Sequence, residues 1–180
     1  MSAKHDLGSR RGWMWLVVLL LVLSGVETSG AILITHQVLS TTTATVVDAI
    51  VVNWTVVAMY AFASPLWGRV ELRTDSLVVR FGLVGNVRVP IEAIRDAAPF
   101  LAPAMTPLQL GAGFDGVSRQ MSLVRSATSE SLSVSFRIPV AGRVQLVRPV
   151  LATSLVLTTS DAVAFADDIN AFVRAAGEEV

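Results

Sequence analysis

The chain has 180 residues, enough for one ordinary domain plus an anchor and too few for two full domains. Apolar residues make up 53% and charged residues 16%, with a mean hydropathy of +0.62, so apolar character is in excess of what a soluble domain needs. The formal net charge is zero, which argues against nucleic acid as a partner, and the absence of cysteine excludes disulfides, thiolate metal sites and cysteine nucleophiles.

The apolar excess is concentrated near the N-terminus. A basic tail, residues 1–12, carries Lys4, Arg10 and Arg11. From Trp13 the sequence runs apolar through WMWLVVLLLVLSGV and, after ETSG, to Ile34, about 33 Å of helix and enough to cross a hydrocarbon core of about 30 Å. A second run from Val46 to Trp67 has similar reach, so residues 13–67 are predicted to form a two-helix transmembrane hairpin. Ser9-Arg10-Arg11 ahead of an apolar stretch also resembles a secretory or twin-arginine signal peptide, but the apolar character resumes at Ala31 instead of ending at a cleavage site. The stretch between the runs, Thr35 to Thr45, is polar and has no Lys or Arg, whereas Arg69, Arg73 and Arg80 follow the second run. The positive-inside bias therefore places both termini in the cytosol and the chain in the inner (cytoplasmic) membrane, with Trp13, Trp15 and Trp67 as interfacial anchors.

Two polar residues interrupt the spans. Glu27 lies as far along the first helix from Trp13 as Asn53 lies along the second from Trp67, each about 21 Å in, so the two are expected to hydrogen-bond across the hairpin. Gly25, Thr28 and Gly30 would allow close helix approach. A lone carboxylate in a two-helix hairpin cannot form an ion pathway, and helix pairing or a hook for a partner helix is the expectation. His36 and Asp48 fall near the outer boundary, where they can pair or be hydrated.

After Pro65 the period becomes two. Val70 and Leu72 alternate with Arg69, Glu71 and Arg73; Leu77, Val79 and Phe81 follow a Thr74-Asp75-Ser76 turn; Val87, Val89 and Ile91 follow the GLVGN turn. Ser131 to Ile138 alternates strictly, with Leu132, Val134, Phe136 and Ile138 predicted inward. Gln120–Arg125, Arg143–Val147 and Ser154–Thr158 are further predicted strands. The stretch Ala97 to Gly116, with Pro99, Pro103, Pro107 and three glycines, reads as a long loop or irregular strand. A closing helix is capped by Ser160 or Asp161, carries an apolar stripe of Phe165, Ile169, Phe172 and Val173, and ends at Gly177, with Asp167, Asp168 and Asn170 on its solvated face. The fold class is thus a membrane α-helical hairpin plus a β-rich α+β domain: a curved sheet or partial barrel of about seven strands capped by a C-terminal helix.

The segment ELRTDSLVVRFGLVGNVRVPIEAI, Glu71 to Ile94, resembles the opening of bacterial PH-like domains, and Leu155-Val156-Leu157-Thr158 with Asp161-Ala162 and Phe165 resembles their last strand and capping helix. The resemblance covers about residues 69–176. It implies a cytosolic PH-like domain behind two transmembrane helices, as in many actinobacterial members, and it supplies no catalytic residues.

Chemistry is sparse. Residues 69–180 contain no histidine, which removes His-based triads and His metal clusters from the domain. Gly111 to Gly113 is not followed by a Lys-Ser or Lys-Thr of a phosphate loop, and Asp96, Asp115 and Glu130 lack metal-loop spacing. No enzyme, cofactor or metal is expected. Eleven arginines balance eleven acidic residues from Arg69 onward. The one regional concentration is Arg119, Arg125, Arg137, Arg143 and Arg148, which would make an anionic-lipid or partner contact if hairpins gathered it on one face. The expected partners are the lipid bilayer and either a membrane protein or a second copy. The leading expectation is a non-enzymatic accessory or scaffold subunit; the alternative is an anionic-lipid sensor.

Overall fold

The computed structural model describes residues 3–100, 110–145 and 148–178, which form three α-helices and nine strands. In chain order they are β1 (Ala3–His5), α1 (Arg11–Val38), α2 (Thr41–Ala63), β2 (Arg69–Leu72), β3 (Ser76–Phe81), β4 (Gly85–Pro90), β5 (Ile94–Pro99), β6 (Gly111–Asp115), β7 (Gln120–Val124), β8 (Glu130–Val144), β9 (Arg148–Thr159) and α3 (Ala162–Glu178). The α-helical hairpin followed by a β-rich domain with a C-terminal helix is the expected layout.

Both helices of the hairpin are long and apolar enough to cross a membrane. They exceed the predicted runs at the ends that meet in the connection, leaving only Leu39 and Ser40 between them. The polar ends stay helical because the side chains find partners there: the Thr35 hydroxyl donates to the Ile32 carbonyl and to Asp48, and His36 Nε2 meets Asp48 at 2.8 Å. Ser64–Trp67 continue α2 as a 3-10 turn into β2.

The strands form one sheet in the order β1-β2-β3-β4-β8-β9-β7-β6, with β5 pairing the first half of β8. Every pairing is antiparallel except β7 with β9. The core is the inner face of this sheet closed by α3, with Leu72, Phe81, Leu132, Leu155, Phe165 and Ile169 fully buried. Burial of such side chains contributes about 1.5–3 kcal/mol each. Asp161 caps α3 by accepting from the Ala164 N–H.

Several sequence expectations change. Nine strands replace about seven: β1 forms from the polar tail, β5 and β6 form on either side of the proline-rich stretch, and two of the predicted strands are one. Residues 101–109 of that stretch, with Pro103 and Pro107, lie outside the described residues. The separate strands predicted at Ser131–Ile138 and Arg143–Val147 are one strand, β8, bulged between Ser135 and Val140; Val147 lies outside the described residues. Pro139 sits in the bulge, where no ladder N–H is required. The bulge turns Ile138 outward, to 61% exposure, against its expected inward orientation. Gly177 does not end α3, which runs on to Glu178. Glu71, expected on a solvated face, is buried and salt-bridged to Arg69 and Arg73.

Candidate functional site

Within the hairpin the helices touch through small polar side chains. Thr28 meets Thr55 at 3.4 Å, and the Ser24 hydroxyl lies 3.8 Å from the Met59 sulfur. Glu27 and Asn53, expected to meet, do not: both are exposed, and no hydrogen bond joins them. The reason is helical phase. One residue is a turn of about 100°, so Glu27 leaves the seam held by Thr28 and lies on one flank of the hairpin. Asn53, two positions from Thr55, faces away from α1. Gly25, Thr28 and Ser29 with Val52 and Val56 line a shallow apolar groove of about 450 Å³ on the flank opposite Glu27.

The base of the hairpin is docked onto the sheet. Trp13 is 4% exposed; its indole N–H donates to the Phe62 carbonyl at 3.0 Å, and its ring stacks on Phe62 and meets Phe81 edge-on. The β3–β4 turn grips the end of α2, because the Leu83 N–H donates to the Ser64 hydroxyl at 2.8 Å. Gly82 makes this possible with a left-handed φ of +62°; a Cβ there would overlap the Ser64 backbone. Leu83 itself is half exposed, and Tyr60 and Trp67 lie close together on the outside of the hairpin base with ring centroids 6.0 Å apart.

The same end of the sheet carries three exposed arginines. Gly85 pairs with Val144 and Val144 with Arg148, so the start of β9 lies two strand spacings, about 10 Å, from the β3–β4 turn. There Arg119 and Arg148 line an open groove of about 550 Å³ with Phe114, Pro149, Val150 and Leu151. Arg143, exposed and opposite Pro149 in the ladder, is adjacent. Arg119 holds a left-handed φ of 52°, fixed by its carbonyl, which accepts from the Thr153 N–H at 2.9 Å. Asp115, the nearest carboxylate in sequence, is spent within its own turn. It accepts from the Ser118 hydroxyl at 2.6 Å and from the Val117 N–H at 2.9 Å, and these bonds hold its carboxyl below the ordinary 3.8. Arg119, Arg143 and Arg148 have no salt bridge among the described residues.

The other two arginines of the predicted concentration are not part of this groove. Arg137 donates from Nε to the Ile94 carbonyl at 3.1 Å. Arg125, at the far end of β7, is completely buried and binds Asp6 and the Gly8 carbonyl. It anchors the basic N-terminal tail to the sheet. Residues 3–9 run across the sheet as β1 and a short strap, with Leu7 fully buried, its carbonyl accepting from Thr158, and the Ser9 N–H donating to Ser129. His5 stacks on Phe165 of α3, 4.1 Å between centroids, with Nε2 3.4 Å from Asp168.

Among the described residues no three metal-ligating side chains come together. No family model, curated protein or solved structure matches the chain.

Proposed function

We propose that this protein is a non-enzymatic, membrane-anchored interaction module, an accessory or scaffold subunit whose hairpin engages another membrane protein and whose β-rich domain, PH-like in type, lies in the cytosol. One observation carries the reading: Glu27 and Asn53, at matched depth within the spans, both face outward. A carboxylate in the hydrocarbon costs about 2.5–3.5 kcal/mol on insertion scales, and an exposed one calls for a hydrogen-bond donor from a neighbouring helix. The N-terminal strand and the C-terminal domain share one sheet, which supports a topology with both ends of the hairpin on one side of the membrane. The arginines at those ends favour the cytosolic side of a bacterial inner membrane.

The test is photo-crosslinking of the full-length protein in native membranes, with the reactive side chain at Val26 or Trp54, flanking Glu27. The expected result is a specific protein adduct that falls about tenfold in Glu27→Leu and survives in Glu27→Gln. Adducts to lipid alone would overturn the reading.

A second reading is favoured by the Arg119–Arg148 groove. Two guanidinium groups with no salt bridge among the described residues, beside apolar side chains at the end of the sheet nearest the hairpin base, suit an anionic lipid headgroup. On this reading the protein senses lipid composition at the cytosolic surface.

A further inference from the structure

The strap of residues 3–9 occupies a groove built for an extended, acidic-apolar segment. Three backbone positions pair with the exposed edge of β2: Ala3 with Leu72, Lys4 with Glu71 and His5 with Val70. Next, Asp6 meets the buried Arg125, Leu7 fills an apolar site, and the Leu7 carbonyl accepts from the Thr158 hydroxyl at 2.9 Å. Edge pairing with alternate side-chain sites is how sheets bind foreign strands.

The strap is held by a few long-range anchors and a short edge pairing. Its ladder is three residues long, and Arg10, exposed, is the one residue between the strap and α1. Its polar anchor is incompletely satisfied, because Nε and Nη1 of Arg125 are buried without a hydrogen-bond partner. Short edge strands of this kind open at a small fraction of the global unfolding free energy. The groove that is vacated fits the same residues of a neighbouring copy contact for contact, including the Asp6–Arg125 charge pair. Confinement in a bilayer raises the effective concentration of that copy.

We propose that the strap exchanges between two copies of this chain, each inserting residues 3–9 into the other's groove in a closed two-fold dimer. The strap groove is distinct from the hairpin flank at Glu27 and from the Arg119–Arg148 groove, so the exchange stands or falls independently of the function proposed above.

The absence of cysteine makes the test direct. Two differently tagged full-length copies are co-expressed, one carrying Lys4→Cys and the other Glu71→Cys, positions opposed in the β1–β2 ladder at a spacing a disulfide spans. A single chain carrying both substitutions serves as the register control. Exchange is expected to give a disulfide-linked heterodimer containing about half of all chains, as random assortment of two tags requires. That heterodimer should be lost when Asp6→Ala is added to the Lys4→Cys copy. Cross-linking only within the doubly substituted chain would overturn the proposal, and so would failure of that chain to cross-link. Capture of a foreign protein by the Glu71→Cys copy in place of the tagged partner would also overturn it.

Discussion

Arg125 and Asp6 lie 119 positions apart in the chain and form an ion pair in which the guanidinium is wholly buried and the carboxylate half exposed. Such a pair matters most when it is broken from one side, because a buried charge is then left without its counterion. Asp6→Asn should lower unfolding stability by about 2 kcal/mol, the loss of one charged hydrogen bond. Leu7→Ala should cost about 2–5 kcal/mol by leaving a cavity. Chemical denaturation in detergent, followed through the domain's β-sheet signal, measures both. Full stability in both variants would mean that the strap contributes nothing to the fold.

Gly82 is the hinge of the contact between sheet and hairpin. Gly82→Ala must accommodate both a left-handed backbone and overlap with Ser64, and should cost about 2–4 kcal/mol. Gly116→Ala, with nothing within 4 Å of the added carbon, should stay within about 0.5 kcal/mol of the parent. Thermal unfolding of the two variants side by side gives the comparison.

The β6–β7 turn carries its own pH signature. The Ser118 hydroxyl and then the Val117 N–H stabilise ionised Asp115, so its folded value lies below 3.8. A depressed carboxyl contributes stability that is complete above its unfolded value and fades as the pH falls through the folded one. Carboxyl-carbon NMR should therefore find Asp115 titrating below 3.8, and Ser118→Ala should move it back toward that value. An unchanged midpoint in Ser118→Ala would exclude the hydroxyl as the cause.

Vesicle binding separates the arginines by position. Near an anionic surface each exposed cation contributes about 1 kcal/mol, so Arg119→Ala with Arg148→Ala should weaken association with anionic vesicles by about thirtyfold at low salt. Arg137→Ala should change it little, since that side chain donates to Ile94 within the sheet. Equal binding to neutral vesicles would remove the lipid-sensing reading.

Much of this architecture is legible in the sequence because apolar periodicity reports burial locally. Leu132, Val134 and Phe136 face the core as their alternation requires, and Phe165 and Ile169 pack as their spacing requires. Legibility fails where a long-range contact overrides the local pattern. Nothing in Ala3–His5 marks a strand, since its partners in β2 lie beyond both spans. β6 is glycine-rich and reads as loop. Pro139 suggests the end of a strand, and only the bulge lets β8 continue through it. In the hairpin, matched depth singles out Glu27 and Asn53, but depth says nothing about azimuth, and phase along the helix turns both outward. Among the arginines, chain proximity suggested five together; the sheet gathers Arg119, Arg143 and Arg148 and sends Arg125 to the opposite end of β7.

The strap also constrains how the protein is made. The Leu7 carbonyl awaits a hydroxyl 151 residues later, and Asp6 awaits a guanidinium 119 residues later. Parallel β7 and β9 cannot pair until the last strand has been synthesised. Residues 3–9 therefore leave the ribosome before their partners and find their places only once the sheet is complete. Throughout that interval an extended segment and an open β2 edge stand side by side at the membrane surface, each without its mate. Chains translated in close succession from one message would meet in that state, so polysome spacing could influence which copy each strap joins.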